Sequence, residues 1–298
     1  MARTGKYNPF VWLARKAADA AVAMLTKPLQ SYDLHAPNDL ANLRRHIRKG
    51  DVILVEGNER ISQCIKYLTQ SSWSHSALYV GDEPLERNPP LRAEYQKHFG
   101  DDAEYLLAEA LVESGVVLSP LSKYRDFNLR VCRPYNLSAQ DLALVLDEAI
   151  SKVGGQYDVR NVLDLARYFL PLSLVPARLR RHALHFGSGE PTRAICSSLI
   201  ASCFMRVKFP IVPRYEQLPD GSAAPPGRSL LWPLGRRRAF APQGVFSETP
   251  PWLVTPRDFD LSPYFEIIKF NIIENMRFDY HKILWAEELT PAQIKKGA

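Results

Sequence analysis

Trp73-Ser74-His75-Ser76-Ala77-Leu78-Tyr79-Val80 and, far downstream, Ala194-Ile195-Cys196-Ser197-Ser198-Leu199-Ile200 each set one reactive side chain at the edge of an apolar run. The Ser71-Ser72-Trp73-Ser74 turn delivers His75 to the start of a strand. Cys196 follows Glu190-Pro191-Thr192, near the N-terminus of a predicted helix whose inner face includes Ile195, Leu199, Ile200 and Phe204. A thiol is a nucleophile only as its thiolate, and a helix N-terminus and a neighbouring imidazolium both favour that form. Cys196 as nucleophile with His75 as its base is therefore the chemical reading of the pair. The competing reading is a buried structural cysteine beside a hydrogen-bonded surface histidine.

Working outward, Asp51-Val52-Ile53-Leu54-Val55 reads as a buried strand entered from a short helix over about 38–48. Ile61, Ile65 and Leu68 recur at helical spacing. Further strands are expected over 105–113, 116–118 and 129–133, giving an antiparallel sheet with local connections. Helices follow over 138–153, ended by Gly154-Gly155, and over 159–169. Glu109 is a single carboxylate inside the apolar run Leu106-Leu107-Ala108-Glu109-Ala110-Leu111, and a buried carboxylate needs a partner. It is the preferred group to orient the imidazole. Glu113 shares its strand face but lies beside Ser114-Gly115 at a turn, and stands as the reserve.

The residues Gly50-Asp51-Val52-Ile53, Ser74-His75-Ser76-Ala77-Leu78-Tyr79, Glu109-Ala110, Gly115-Val116, Gly154-Gly155-Gln156-Tyr157-Asp158 and Cys196-Ser197-Ser198-Leu199 occur in the order found in permuted papain-like amidases. His75 precedes Cys196, the reverse of the papain order. Over roughly residues 48 to 206 the chain resembles the YaeF/YiiX-like group of NlpC-type cysteine hydrolases. The resemblance implies an α+β, circularly permuted papain-like (NlpC-type) fold, with an antiparallel sheet packed on the helix bearing the nucleophile. It implies Cys196 as nucleophile, His75 as base and Glu109 as the orienting residue, with Tyr157 near the site. Two features depart from the pattern: Ser198 stands where an acidic residue often follows Cys-Ser, and the chain continues to residue 298.

Three segments are expected: an N-terminal amphipathic arm (1–37), a catalytic domain (38–209) and a C-terminal extension packed on it (210–298). In the arm, Phe10, Leu13, Ala17, Ala20, Ala21 and Met24 recur at helical spacing behind Asn8-Pro9, bordered by Trp12, Arg15, Lys16 and Lys27. A helix over 9–27 would lie at a membrane interface or pack on the protein's own core. From Pro210 to Pro256 the chain is dense in Pro, Gly and Arg, which predicts an ordered loop or lid rather than regular structure. Phe265-Glu266-Ile267-Ile268-Lys269-Phe270 alternates and reads as a strand, and Ile283-Leu284-Trp285 as part of a further element.

With 298 residues, 46% hydrophobic, the chain can bury a full core, and it is not a disordered protein. A net charge of +6 is spread over several clusters, among them Arg236-Arg237-Arg238, without aromatic interleaving or zinc-finger spacing. No nucleic-acid partner is expected. Four cysteines without a C-x-x-C pair point to a reducing compartment. Charges at Arg15, Lys16 and Asp19 interrupt any secretory h-region, so a cytoplasmic protein is expected, peripheral on the inner membrane face if the arm binds lipid. His182 and His185 lack further ligands at zinc spacing, and no cofactor or metal is expected. The expected substrate is an acylated, lipid or peptide molecule. The activity would be hydrolysis of an amide or ester, or acyl transfer, since permuted relatives that resemble the lecithin:retinol acyltransferases bring lipid substrates within reach. A peptidase acting on cell-wall-like peptides and a non-catalytic binding module are the alternatives.

Overall fold

The computed structural model describes residues 27–28, 34, 38–112, 114–155, 195–217 and 244–270. The helices expected over 9–27 and 159–169, and the stretch around Ile283-Leu284-Trp285, lie outside them. The described strands are β1 (Val52–Val55), β2 (His75–Tyr79), β3 (Leu106–Leu111), β4 (Gly115–Pro120), β5 (Leu129–Pro134), β6 (Arg214–Gln217), β7 (Gly244–Ser247) and β8 (Phe265–Ile268). The helices are α1 (Leu40–His46), α2 (Arg60–Thr69), α3 (Glu83–Glu86), α4 (Pro89–Phe99), α5 (Ala139–Ser151), α6 (Ile195–Met205) and α7 (Pro256–Leu261). The sequence reading passed over α3 and α4, which insert between β2 and β3.

The main sheet runs β4-β3-β2-β1-β5-β8, with every neighbouring pair antiparallel. Only part of it follows the expected local connections. β1 takes β5 as its second neighbour, pairing Val52 with Cys132, and β5 in turn takes β8. The cause is the composition of β1: Val-Ile-Leu-Val is buried throughout, and a buried strand must satisfy backbone groups along both edges.

Alternation sorts the side chains into two cores. Leu54, Leu78 and Ala108 face α5 and α6, where they meet Val145, Ile200 and Phe204. Ile53, Ala77, Tyr79 and Leu107 face the other way, against Leu43 of α1 and against Leu121 and Tyr124. Each such fully buried Leu, Ile, Val or Phe side chain contributes about 1.5–3 kcal/mol. α6 is buried on nearly all sides, as its sequence Ile-Cys-Ser-Ser-Leu-Ile-Ala-Ser-Cys-Phe-Met requires, and its small residues let it approach the sheet closely.

The stretch 210–256 corrects the loop expectation. Arg214–Gln217 and Gly244–Ser247 pair as a two-stranded antiparallel sheet, and a 3₁₀ turn at Pro251–Leu253 leads into α7. The register sets Tyr215 opposite Phe246 and Glu216 opposite Val245, a pairing that the surrounding prolines and glycines obscured in the sequence. The Phe265–Phe270 alternation forms β8 at the sheet edge.

Candidate active site

The loop into β2 is fixed before His75 is reached. Ser74 N–H donates to Val55 O at 3.1 Å, and Gly57 N–H donates to Ser74 Oγ at 2.9 Å. A Cβ on Gly57 would stand 2.8 Å from that hydroxyl, so the close approach requires glycine. His75 then opens β2 opposite Val55.

Glu109 sits in β3 with no exposed surface. Its Oε2 receives His75 Nε2 at 2.7 Å and the Tyr124 hydroxyl, and its Oε1 receives Lys123 Nζ at 2.6 Å. Lys123 and Tyr124 come from the 3₁₀ turn Leu121–Tyr124 that directly follows β4. A desolvated carboxylate is tolerated only with such partners. Sequence reasoning found Glu109 and missed both donors. The lone carboxylate called for a partner, but nothing in Leu121-Ser122-Lys123-Tyr124 marked which residues would supply it.

On its other side His75 hydrogen-bonds Cys196, the second residue of α6 and 5% exposed. Because Nε2 is committed to Glu109, Nδ1 is the ring nitrogen left for the thiol. Burial alone would raise the Cys196 pKa. The charge and hydrogen bond of His75, with the backbone N–H of Ser76, outweigh it and hold the thiol below its ordinary value of 9.0. Burial likewise disfavours the imidazolium, yet the facing thiolate and Glu109 raise His75 to about 10. Burial works against the Glu109 charge too, but His75 and Lys123 hold it ionised, well below the usual carboxylate range. Burial and the Glu109 charge push the Tyr124 phenol up, so it remains a donor.

The other described cysteine side chains behave oppositely. Burial pushes Cys132 up to about 12 and Cys203 to about 11. Cys196 alone among them carries the electrostatics of a nucleophile. Glu113 and Tyr157 lie outside the described residues, as do His182 and His185. Among the described residues no cluster of three or more His, Cys, Asp or Glu is arranged to hold a metal ion, and no helix is long and apolar enough to cross a membrane.

Comparison with known proteins bears on this arrangement. A crystal structure of the metalloprotein YiiX from Escherichia coli O157:H7 is similar at 13% identity, over 75% of this chain and 97% of that one, with a TM-score of 0.41. Residues 46–169 match the family described as permuted papain-like amidase enzyme, YaeF/YiiX, C92 family. The match spans His75, Glu109, Lys123 and Tyr124 and ends before Cys196, which the fold returns to the histidine. Over residues 46–169 the chain is thus similar to the permuted papain-like amidases of the YaeF/YiiX, C92 family, and the described helices and antiparallel sheet agree with their α+β class.

Proposed function

We propose that the protein cleaves an amide or ester through an acyl-enzyme on Cys196, with His75 as acid and base and Glu109 orienting the ring. The observation that carries this reading is the unbroken sequence of contacts Lys123–Glu109–His75–Cys196, in which alternating charges end at a thiol of lowered pKa. The thiolate attacks the carbonyl carbon, forming a C–S bond as the carbonyl electron pair moves to oxygen. We assign the Cys196 backbone N–H, one of the first-turn amides that a helix does not pair internally, to that oxyanion. Collapse expels the amine or alcohol, which takes the imidazolium proton. Water then gives a proton to His75 as it attacks the thioester, and the released thiolate recovers its partner. An alcohol or amine acceptor in place of water would make the same cycle an acyl transfer.

The thiolate–imidazolium pair exists between the lowered pKa of Cys196 and the raised pKa of His75. Alkylation of Cys196 by iodoacetamide is therefore expected to reach half its maximal rate well below pH 9. Turnover should fall as pH rises through about 10, where the leaving group loses its proton donor. Alkylation with the pH dependence of an ordinary thiol would refute the reading.

Lys123 tunes the same pair. Without its charge, Glu109 would act more strongly on His75, raising the imidazole pKa further and leaving less of the ring unprotonated at neutral pH to accept a proton from water. Lys123→Met is thus expected to slow deacylation more than acylation, about tenfold, and to shift the alkaline limb upward. Stopped-flow measurement of the two phases checks this. Lys123 is itself 35% exposed, but its loss leaves the buried Glu109 carboxylate with only His75 and Tyr124 as partners, so some stability should be lost with it, which urea unfolding reads separately.

For the substrate, we propose an acylated or lipid molecule met at an anionic membrane. The support is the apolar periodicity and basic border of residues 9–27. Liposome co-sedimentation of the full chain and of a deletion beginning at Leu34 tests it. Salt-sensitive binding lost in the deletion is expected, and equal binding of both at low and high salt would exclude it.

A further inference from the structure

We propose that the segment Val254–Asp260, which lies beyond the residues matched to the family, is a brace that sets the separation of His75 and Cys196, with Asp260 as a positioning residue. At one end, the carbonyl of buried Val254 accepts the hydroxyl of Ser197 at 2.5 Å, next to Cys196 in α6. At the other end, Asp260 Oδ2 accepts the indole N–H of Trp73 at 3.0 Å, two residues before His75. Arg130 pairs with Asp260 Oδ1, and its guanidinium lies 5.0 Å over the Trp73 ring, closing a triangle around the entry to β2. Arg257 donates to Thr69 O at 3.0 Å, at the end of α2, and so holds the turn that leads to Trp73.

The segment between these anchors is stiff. Pro256 occupies the first turn of α7, Thr255 and Asp258 form a reciprocal capping box, and Phe259 is fully buried. Histidine and thiol come from elements far apart in sequence, and the peptide next to each is tied to this short stretch. Slack at either anchor would let α6 and the start of β2 drift relative to one another, and a displacement near 1 Å can cost about a hundredfold in rate.

The inference rests on the reading of Cys196 and His75 as a reactive pair, and the test separates the two. Asp260→Asn, Ser197→Ala and their combination, in the full chain, are alkylated with iodoacetamide across pH, and each adduct is located by peptide mass. If wild-type Cys196 reacts as an ordinary thiol, the hydrolase reading fails before any variant is compared. If it reacts well below pH 9, each single variant is expected to label Cys196 about tenfold more slowly at pH 7, with its midpoint moved upward. Cys132 and Cys203 should stay protected, since both are buried in the core. The combination should be little slower than the worse single variant, because both cut the same brace. Wild-type rate and midpoint in the folded single variants overturn the proposal. Should Asp260→Asn expose Cys132 and Cys203, Ser197→Ala decides by the same criteria. Loss of the fold in both single variants also overturns it, because the contacts would then serve the fold alone.

Discussion

Cys196→Ala is expected to abolish the covalent adduct and, with it, turnover. Neither of the other cysteines whose side chains are described can take over: Cys132 and Cys203 are buried and pushed up to about 12 and 11, so neither offers thiolate near neutral pH. Removing a nucleophile that works as a unit with its base costs at least about 10³-fold. Cys196→Ser should be nearly as inactive, because a hydroxyl cannot form the ion pair that the thiol forms with His75. The histidine reports the change directly. Cys196 is the strongest of the groups raising the His75 pKa, so in Cys196→Ala the imidazole should titrate well below about 10 while Glu109 keeps it above a solvated histidine. Intact-protein mass after incubation with an activated ester reads the first effect and a histidine NMR titration the second. Equally fast acylation of Cys196→Ala would assign the chemistry to another residue.

The residues of the site divided sharply in how visible they were in the chain. His75 stood out because Trp73-Ser74 breaks the apolar pattern just before a strand, and Cys196 because it opens an apolar helix. Glu109 stood out because a carboxylate in Leu-Leu-Ala-Glu-Ala-Leu contradicts its surroundings. These are local contrasts, and local contrast survives in a single sequence. Lys123 and Tyr124 offered none, since Leu121-Ser122-Lys123-Tyr124 reads as an ordinary turn. Their importance comes from the β3–β4 pairing, which sets Leu106 opposite Pro120 and so returns the following turn to the strand carrying Glu109. Asp260 was equally hidden, in Pro-Arg-Asp-Phe-Asp-Leu, because its partner Trp73 is remote in the chain.

The sheet order follows the same division. Each strand of the main sheet was legible from its own residues, but the β1–β5 and β5–β8 neighbours were not. Antiparallel strands of similar apolarity carry little information about which edge accepts which. β8 pairs with β5, Ile267 opposite Cys132, while its Phe265 packs edge-on to Phe259 and Phe209. The segment that supplies this edge strand also supplies the brace on the active site, so completing the sheet and spacing the reactive pair are tied to one stretch of chain.

Glu109→Gln is expected to damage both the fold and the chemistry, and by separable amounts. The carboxylate is fully buried and accepts from His75, Lys123 and Tyr124. A carboxamide keeps one acceptor oxygen but turns the other end into a donor facing groups that are themselves donors, and leaves the Lys123 charge without its counter-ion. Breaking such a buried pair costs about 3–5 kcal/mol, with the lower end favoured because Lys123 can turn partly to solvent. Linkage gives the sign with pH. A carboxyl whose folded pKa is depressed adds stability above its unfolded pKa and loses it as pH falls through the folded one, so the wild type should lose more stability on acidification than the variant. Without the anion His75 also loses one of the groups that raise its pKa, and its ring loses the bond that fixes Nε2. Acylation is then expected to slow by about 10²–10⁴-fold, without being abolished, since Cys196 still faces the imidazole. Urea unfolding at pH 7 and at pH 4, beside single-turnover acylation at pH 7, measures the two effects on one preparation. A stable variant that acylates at the wild-type rate would remove Glu109 from the mechanism.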